Sequence, residues 1–179
     1  MSVTKFIVIL FIFIVCLHYI SNGEKSSPIK EIKQNEPPKQ IVVNNFINNS
    51  IDLQIIYKME SSCGKNKKAF TPNSAGALGH FQFQKPTWDE CIKLMEVNWD
   101  WETGTLDYNK SLQVADFYFN KRIPQMLNSF RLPVTIDTKL AGYCAGVGNV
   151  KKAIAKDSDN WINYMSKDAQ KYIKDYHSN

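Results

Sequence analysis

Residues 50–64 read SIDLQIIYKMESSCG, and this stretch decides the fold. Leu53, Ile56 and Glu60 are spaced three and four apart, which stacks them on one face of an α-helix. Ile55 and Met59 widen that apolar stripe. Ser50 is placed to cap the N-terminus of the helix. Gly64, after Ser61-Ser62-Cys63, can take the left-handed conformation that closes it. Glu60 therefore falls near the C-terminal end of a helix, on the side that faces the core. A carboxylate in that place is costly unless it is paired or used.

Downstream, residues 65–86 mix Asn, Pro, Ser and Gly with short apolar pairs and read as a loop-rich lobe with a short hairpin. Helical spacing returns from Thr87 through Ile92, Leu94 and Met95. A polar connection over Asn98–Thr105 leads to a helix carrying Leu112, Ala115, Tyr118 and Phe119, which Pro124 ends or kinks. After Pro133 a helix runs through Leu140, a glycine-rich turn spans Ala145–Gly148, and another helix extends from Asn149 to about Lys156. Trp161, Tyr164, Tyr172 and Tyr176 fall on one or two final helices. The expected class is α+β and predominantly α-helical, with a small loop or β insert after the Glu60 helix.

Upstream, Val42, Val43, Phe46 and Ile47 carry helical spacing, and Asn48-Asn49-Ser50 punctuates it. Residues 24–40, with Pro28, Pro37 and Pro38, read as a flexible linker. Before it, Lys5 precedes an apolar run from Phe6 to Leu17 and a polar break at Ser21-Asn22-Gly23. That pattern reads as a signal peptide over residues 1–23. A short membrane anchor is the alternative, because the run falls short of the roughly 20 residues that span a bilayer. The organisation expected is thus 1–23 export segment, 24–40 linker and 41–179 folded domain, with any membrane contact made through the N-terminal segment. Beyond residue 23 the chain holds Cys63, Cys91 and Cys144, which allow at most one internal disulfide.

A net charge of +5 inclines the chain toward acidic surfaces such as anionic wall polymers. No dense Arg/Lys stripe interleaved with aromatics is present, so nucleic acid is not the expected partner. His80, His177 and the cysteines lack metal-ligand spacing, and no metal or other cofactor is expected. Gly146-Val147-Gly148 is too short for a phosphate loop.

Three separated segments carry a resemblance. They are Met59-Glu60-Ser61-Ser62; Ser74-Ala75-Gly76-Ala77-Leu78-Gly79-His80-Phe81-Gln82-Phe83 followed by Pro86-Thr87-Trp88; and Ala141-Gly142-Tyr143-Cys144-Ala145-Gly146-Val147-Gly148-Asn149-Val150. In this order and spacing, over about residues 41–156, they resemble the soluble lytic transglycosylases of the lysozyme-like superfamily. The second segment also looks like the B-type membrane-bound transglycosylases, while the third fits the soluble type better. The resemblance implies a lysozyme-like fold and action on peptidoglycan in the periplasm or cell envelope. It implies Glu60 as the catalytic residue and Ser61, beside it, as a substrate-binding residue. Gln82 and the backbone around Gly79 would line the sugar groove, and the Tyr143 hydroxyl would contact the catalytic carboxyl. A secretion or conjugation apparatus is a partner it allows, alongside roles in wall recycling or in a phage. Departures are visible: Cys144 stands where the family has Asn, and His80 and Phe81 replace apolar residues, commonly Leu and Met.

The chemistry can be argued from the residues as well. A glycosidic bond breaks when a proton reaches the leaving oxygen, so the donor must hold its proton near neutral pH. Desolvation on an apolar helix face raises a glutamate's pKa toward that range. Ordinary glycosidases add a second carboxylate. Asp89, Glu90, Asp100 and Glu102 are available, but none lies in a motif suited to that role. A lytic transglycosylase needs none, because the 6-hydroxyl of the substrate's own N-acetylmuramic acid attacks and closes a 1,6-anhydro ring. The alternatives are a hydrolytic muramidase on the same fold and a wall-binding accessory protein with a degenerate site.

Overall fold

The computed structural model describes residues 50–179. The N-terminal apolar stretch, the linker and the helix read at Val42–Ile47 lie outside the described residues. The first element is helix α1 (Ile51–Ser61), which buries Leu53 and Ile56 as their spacing requires. Ser50 is at the N-cap but its side chain makes no capping bond. The left-handed reversal starts earlier than the glycine suggests. Ser62, Cys63 and Gly64 all have positive φ, at 52°, 55° and 76°. The Ser61 hydroxyl braces that reversal, donating to the Tyr57 carbonyl at 3.2 Å and accepting from the Gly64 N–H at 3.1 Å.

After α1 comes the expected irregular lobe. A 3₁₀ turn (Lys67–Phe70) precedes a two-stranded antiparallel hairpin, β1 (Ala77–Leu78) and β2 (Phe83–Gln84), with Ala77 opposite Gln84 and Leu78 opposite Phe83. Gly79 is buried where the hairpin meets the next layer. With φ of +85° and a would-be Cβ 2.1 Å from the Thr105 carbonyl oxygen, only glycine fits there.

Helix α2 (Lys85–Leu94) starts two residues before the Thr87 expected, with Pro86 in its first turn. The segment read as a polar connection contains a short helix, α3 (Trp101–Leu106). Asp100 caps it through the Thr103 N–H, and the Trp101 indole donates to the Phe83 carbonyl at 3.0 Å, tying α3 to the hairpin. Six residues are too few for hydrophobic periodicity to register. Helix α4 (Tyr108–Phe117) runs through a wider π turn (Tyr118–Arg122) into α5 (Ile123–Ser129). Pro124 sits in the first turn of α5, where its missing N–H is tolerated, so the chain continues instead of stopping.

Helix α6 (Ile136–Ala145) opens with a reciprocal cap between Thr135 and Thr138 and buries Leu140, Ala141 and Gly142. It packs against α7 (Val147–Ile154) and α8 (Lys167–His177), with a 3₁₀ turn (Trp161–Tyr164) between those two. Helix α8 returns to α1: Tyr176 donates to Asp52, and His177 pairs with Asp137 of α6 at 2.7 Å. Trp88, Phe81, Phe119, Ile123, Leu127 and Leu140 fill the core. The three cysteines are free, Cys91 buried and Cys63 and Cys144 exposed. Among the described residues no helix is long and apolar enough to cross a membrane. The fold is predominantly helical, as expected, with the small sheet after α1.

Candidate active site

Glu60, the penultimate residue of α1, faces a cleft of about 440 Å³ between the hairpin lobe and the helices α6 and α8. The remaining wall includes Asn73, Gln82, Phe83, Thr87, Tyr118, Tyr143, Cys144 and Tyr172. Among the described residues of this wall, Glu60 is the sole carboxylate. A shallower opening on the other side of Glu60 contains Asp175, which is engaged in an ion pair with Lys171.

Burial and the local apolar packing raise the Glu60 pKa from 4.5 to about 7. One interaction opposes this: the Tyr172 hydroxyl donates to Glu60 Oε1 at 2.6 Å and favours the ionised form. The balance leaves a carboxyl group that can both give and take a proton near neutrality. Tyr172 is itself held far above its ordinary pKa by burial and by the neighbouring Glu60, so it remains a donor.

The residues expected to form the site divide into two groups. Glu60, Gln82 and Tyr143 do converge on the cleft. Ser61 and Gly79 are buried behind it, where they hold the α1 reversal and the hairpin rather than a wall. Gln82 has φ of +50°, and both of its donated bonds go to loop carbonyls, Ala69 and Gly79, each at 2.9 Å. Its remaining oxygen meets the Asn73 amide at 3.4 Å. Gln82 therefore shapes the cleft wall by clamping the lobe.

Tyr143 needs a correction. Its hydroxyl was expected on the Glu60 carboxyl, yet it donates to the Phe81 carbonyl at 2.9 Å. Its ring lies nearly parallel to that of Tyr172, 18° apart at 6.5 Å. The tyrosine bonded to Glu60 is thus Tyr172, and Tyr143 braces it. Helical spacing does place Tyr172 on a face with the buried Ala169 and Ile173. Nothing linear connects it to a residue 112 positions away. Cys144 is a solvent-exposed residue of the cleft wall, where partial desolvation of its sulfur and the nearby Glu60 push the thiol up to about 11, which favours its neutral form. His80 lies outside the wall, packed among Tyr57, Phe70 and Tyr108.

Comparison with known proteins adds one finding. The family model described as Transglycosylase SLT domain matches residues 47–166, more than half of the chain. No curated protein and no solved structure matches. Tyr172 lies beyond the C-terminal end of the matched region.

Proposed function

This chain belongs to the transglycosylase SLT domain family, and from that membership we propose that it cleaves peptidoglycan strands with Glu60 as sole acid and base. Family membership gives the substrate class, peptidoglycan, and an enzyme of the lytic transglycosylase type. The reaction proposed breaks the β-1,4 bond between N-acetylmuramic acid and N-acetylglucosamine. Protonated Glu60 gives its proton to the leaving 4-oxygen while the anomeric carbon–oxygen bond breaks. The ionised carboxylate then takes the proton of the muramyl 6-hydroxyl as that oxygen bonds to the anomeric carbon. The product ends in 1,6-anhydro-N-acetylmuramic acid, no water is consumed, and Glu60 is returned protonated.

The observation that carries this reading is the single carboxylate among the described residues of the cleft, with its pKa raised to about 7. Ordinary hydrolases add a second carboxylate to hold a water or to form a glycosyl ester. Transfer to the substrate's own hydroxyl needs one group that donates and then accepts. Tyr172 supports both halves: its bond steers the carboxyl and steadies the anion left after donation. The proposed place of action is the periplasm or cell envelope.

Mass spectrometry of the muropeptides released by wild type and by Glu60→Gln tests the proposal. Wild type should release anhydro ends, one water lighter than hydrolytic ends, and Glu60→Gln should release neither. Hydrolytic ends from the wild type would make it a muramidase. No release at any pH would leave it a wall-binding protein.

A further inference from the structure

A second pocket, of about 260 Å³, adjoins the Glu60 cleft and shares Ala145 with it. Asn149, Lys152, Lys156, Tyr164 and Ser166 line it. We propose that this pocket binds the carboxylates of the stem peptide carried by the muramyl residues, so that the protein favours strands bearing that peptide. The proposal rests on the peptidoglycan reading above.

The charge of the pocket is uncompensated. Lys152 and Lys156 lie four residues apart, and among the described residues neither takes part in an ion pair. Asp157, next to Lys156 in sequence, is turned into its own loop, where it accepts from the N–H groups of Asp159 and Asn160 and from the Asn160 amide. Lys156 Nζ stands 5.6 Å from the centre of the Tyr164 ring, which is 50% exposed and offers a flat face at the rim. Ser166 caps α8, so the positive end of that 11-residue helix also points to this corner. Asp168 offsets part of that field but is not in the pocket wall.

Two lysines have little to recognise on the sugar rings. In the polymer the lactyl carboxyl of each muramyl residue is consumed in the amide to its peptide. The free carboxylates therefore sit on the peptide, among them those of the glutamate and the terminal alanine. Because the pocket shares Ala145 with the cleft, a substituent of a muramyl residue seated there has a short path into it. Its volume is below the roughly 300–1,000 Å³ usual for whole ligands, which suits an acidic peptide segment and not a sugar chain.

A muramyl tetrapeptide tests this directly, since its single sugar offers no glycosidic bond to cleave. Calorimetry would compare wild type with Lys152→Gln/Lys156→Gln and with Lys67→Gln/Lys68→Gln, a charge-matched pair on the exposed turn of the other lobe. All four lysines are exposed, so the fold should tolerate both changes. The pocket pair should weaken binding by about tenfold, and the control pair should leave it unchanged. Converting the peptide carboxylates to carboxamides should cost wild type a similar factor. Absent binding by wild type, equal losses in both pairs, or no loss in the pocket pair would each overturn the proposal. The result is independent of turnover: binding without strand cleavage would keep the pocket and reject the transglycosylase reading, and the converse would do the opposite.

Discussion

At the scale of single residues, the raised pKa of Glu60 has consequences for stability and, on the proposed reading, for activity. In the folded chain it titrates at about 7, against 4.5 for an ordinary glutamate. Between these values the folded state holds a proton that the unfolded state has released, so stability falls as pH rises through this window. The full cost above pH 7 is about 3 kcal/mol. Glu60→Gln, neutral at every pH, should therefore be more stable than wild type at pH 8, by about 1–3 kcal/mol, and nearly equal at pH 4. Chemical denaturation at the two pH values checks this. Cleavage needs the protonated form first, so activity should decline as pH rises through about 7. Tyr172→Phe removes the one bond that lowers this pKa, and the decline should move to higher pH while the maximal rate falls. A pH–rate profile of that variant that overlaid wild type would show that Tyr172 does not tune the acid. Tyr143→Phe should act differently. It leaves the Phe81 carbonyl without its donor and should cost about 1–2 kcal/mol of stability, read as a lower midpoint of unfolding.

Elements bring these residues together, and the hairpin lobe shows how little tolerance they have. Gly79 passes so close to α3 that a methyl group would meet the Thr105 carbonyl at 2.1 Å. Its positive φ adds strain for any other residue. Gly79→Ala should destabilise by about 3 kcal/mol or more, and should lower cleavage through displacement of Gln82, whose amide bonds the Gly79 carbonyl. Circular dichroism melting beside the muropeptide assay separates the two effects. Helix α8 is the other critical element. It is fastened at Tyr176 to α1 and at His177 to α6, and one turn before these it presents Tyr172 to Glu60. The elements themselves were largely legible: the spacing of Leu53 and Ile56 gave α1, and Gly and Pro marked the lobe. Helix α3 was missed because six residues show no period, and α4 through α5 is continuous because a π turn absorbs Pro124.

For the molecule as a whole, the cleft lies where the hairpin lobe faces the helices α6 and α8, with a basic pocket at one end. On the proposed reading, this layout leaves catalysis to one ionisable group and substrate selection to the walls. The product mass decides between transfer and hydrolysis, and the two outcomes differ by one water. A single carboxylate among the described residues of the cleft predicts the anhydro form at every muramyl end that cleavage creates.

The sequence by itself determined the helical class, the insert after α1 and the family, and it singled out Glu60 as the carboxylate on the core-facing side of that helix. Each of these is written in local periodicity or in short motifs whose order along the chain is sufficient. It also marked Gln82 and Tyr143 as belonging near the site, without their roles. Only the tertiary structure decided that Tyr172 holds Glu60, that Tyr143 stands one step behind, and that Ser61 and Gly79 support the wall without forming it. The physical reason is that a hydrogen bond of 2.6 Å depends on how α8 lies across α1, and that packing has no signature in the spacing of either helix.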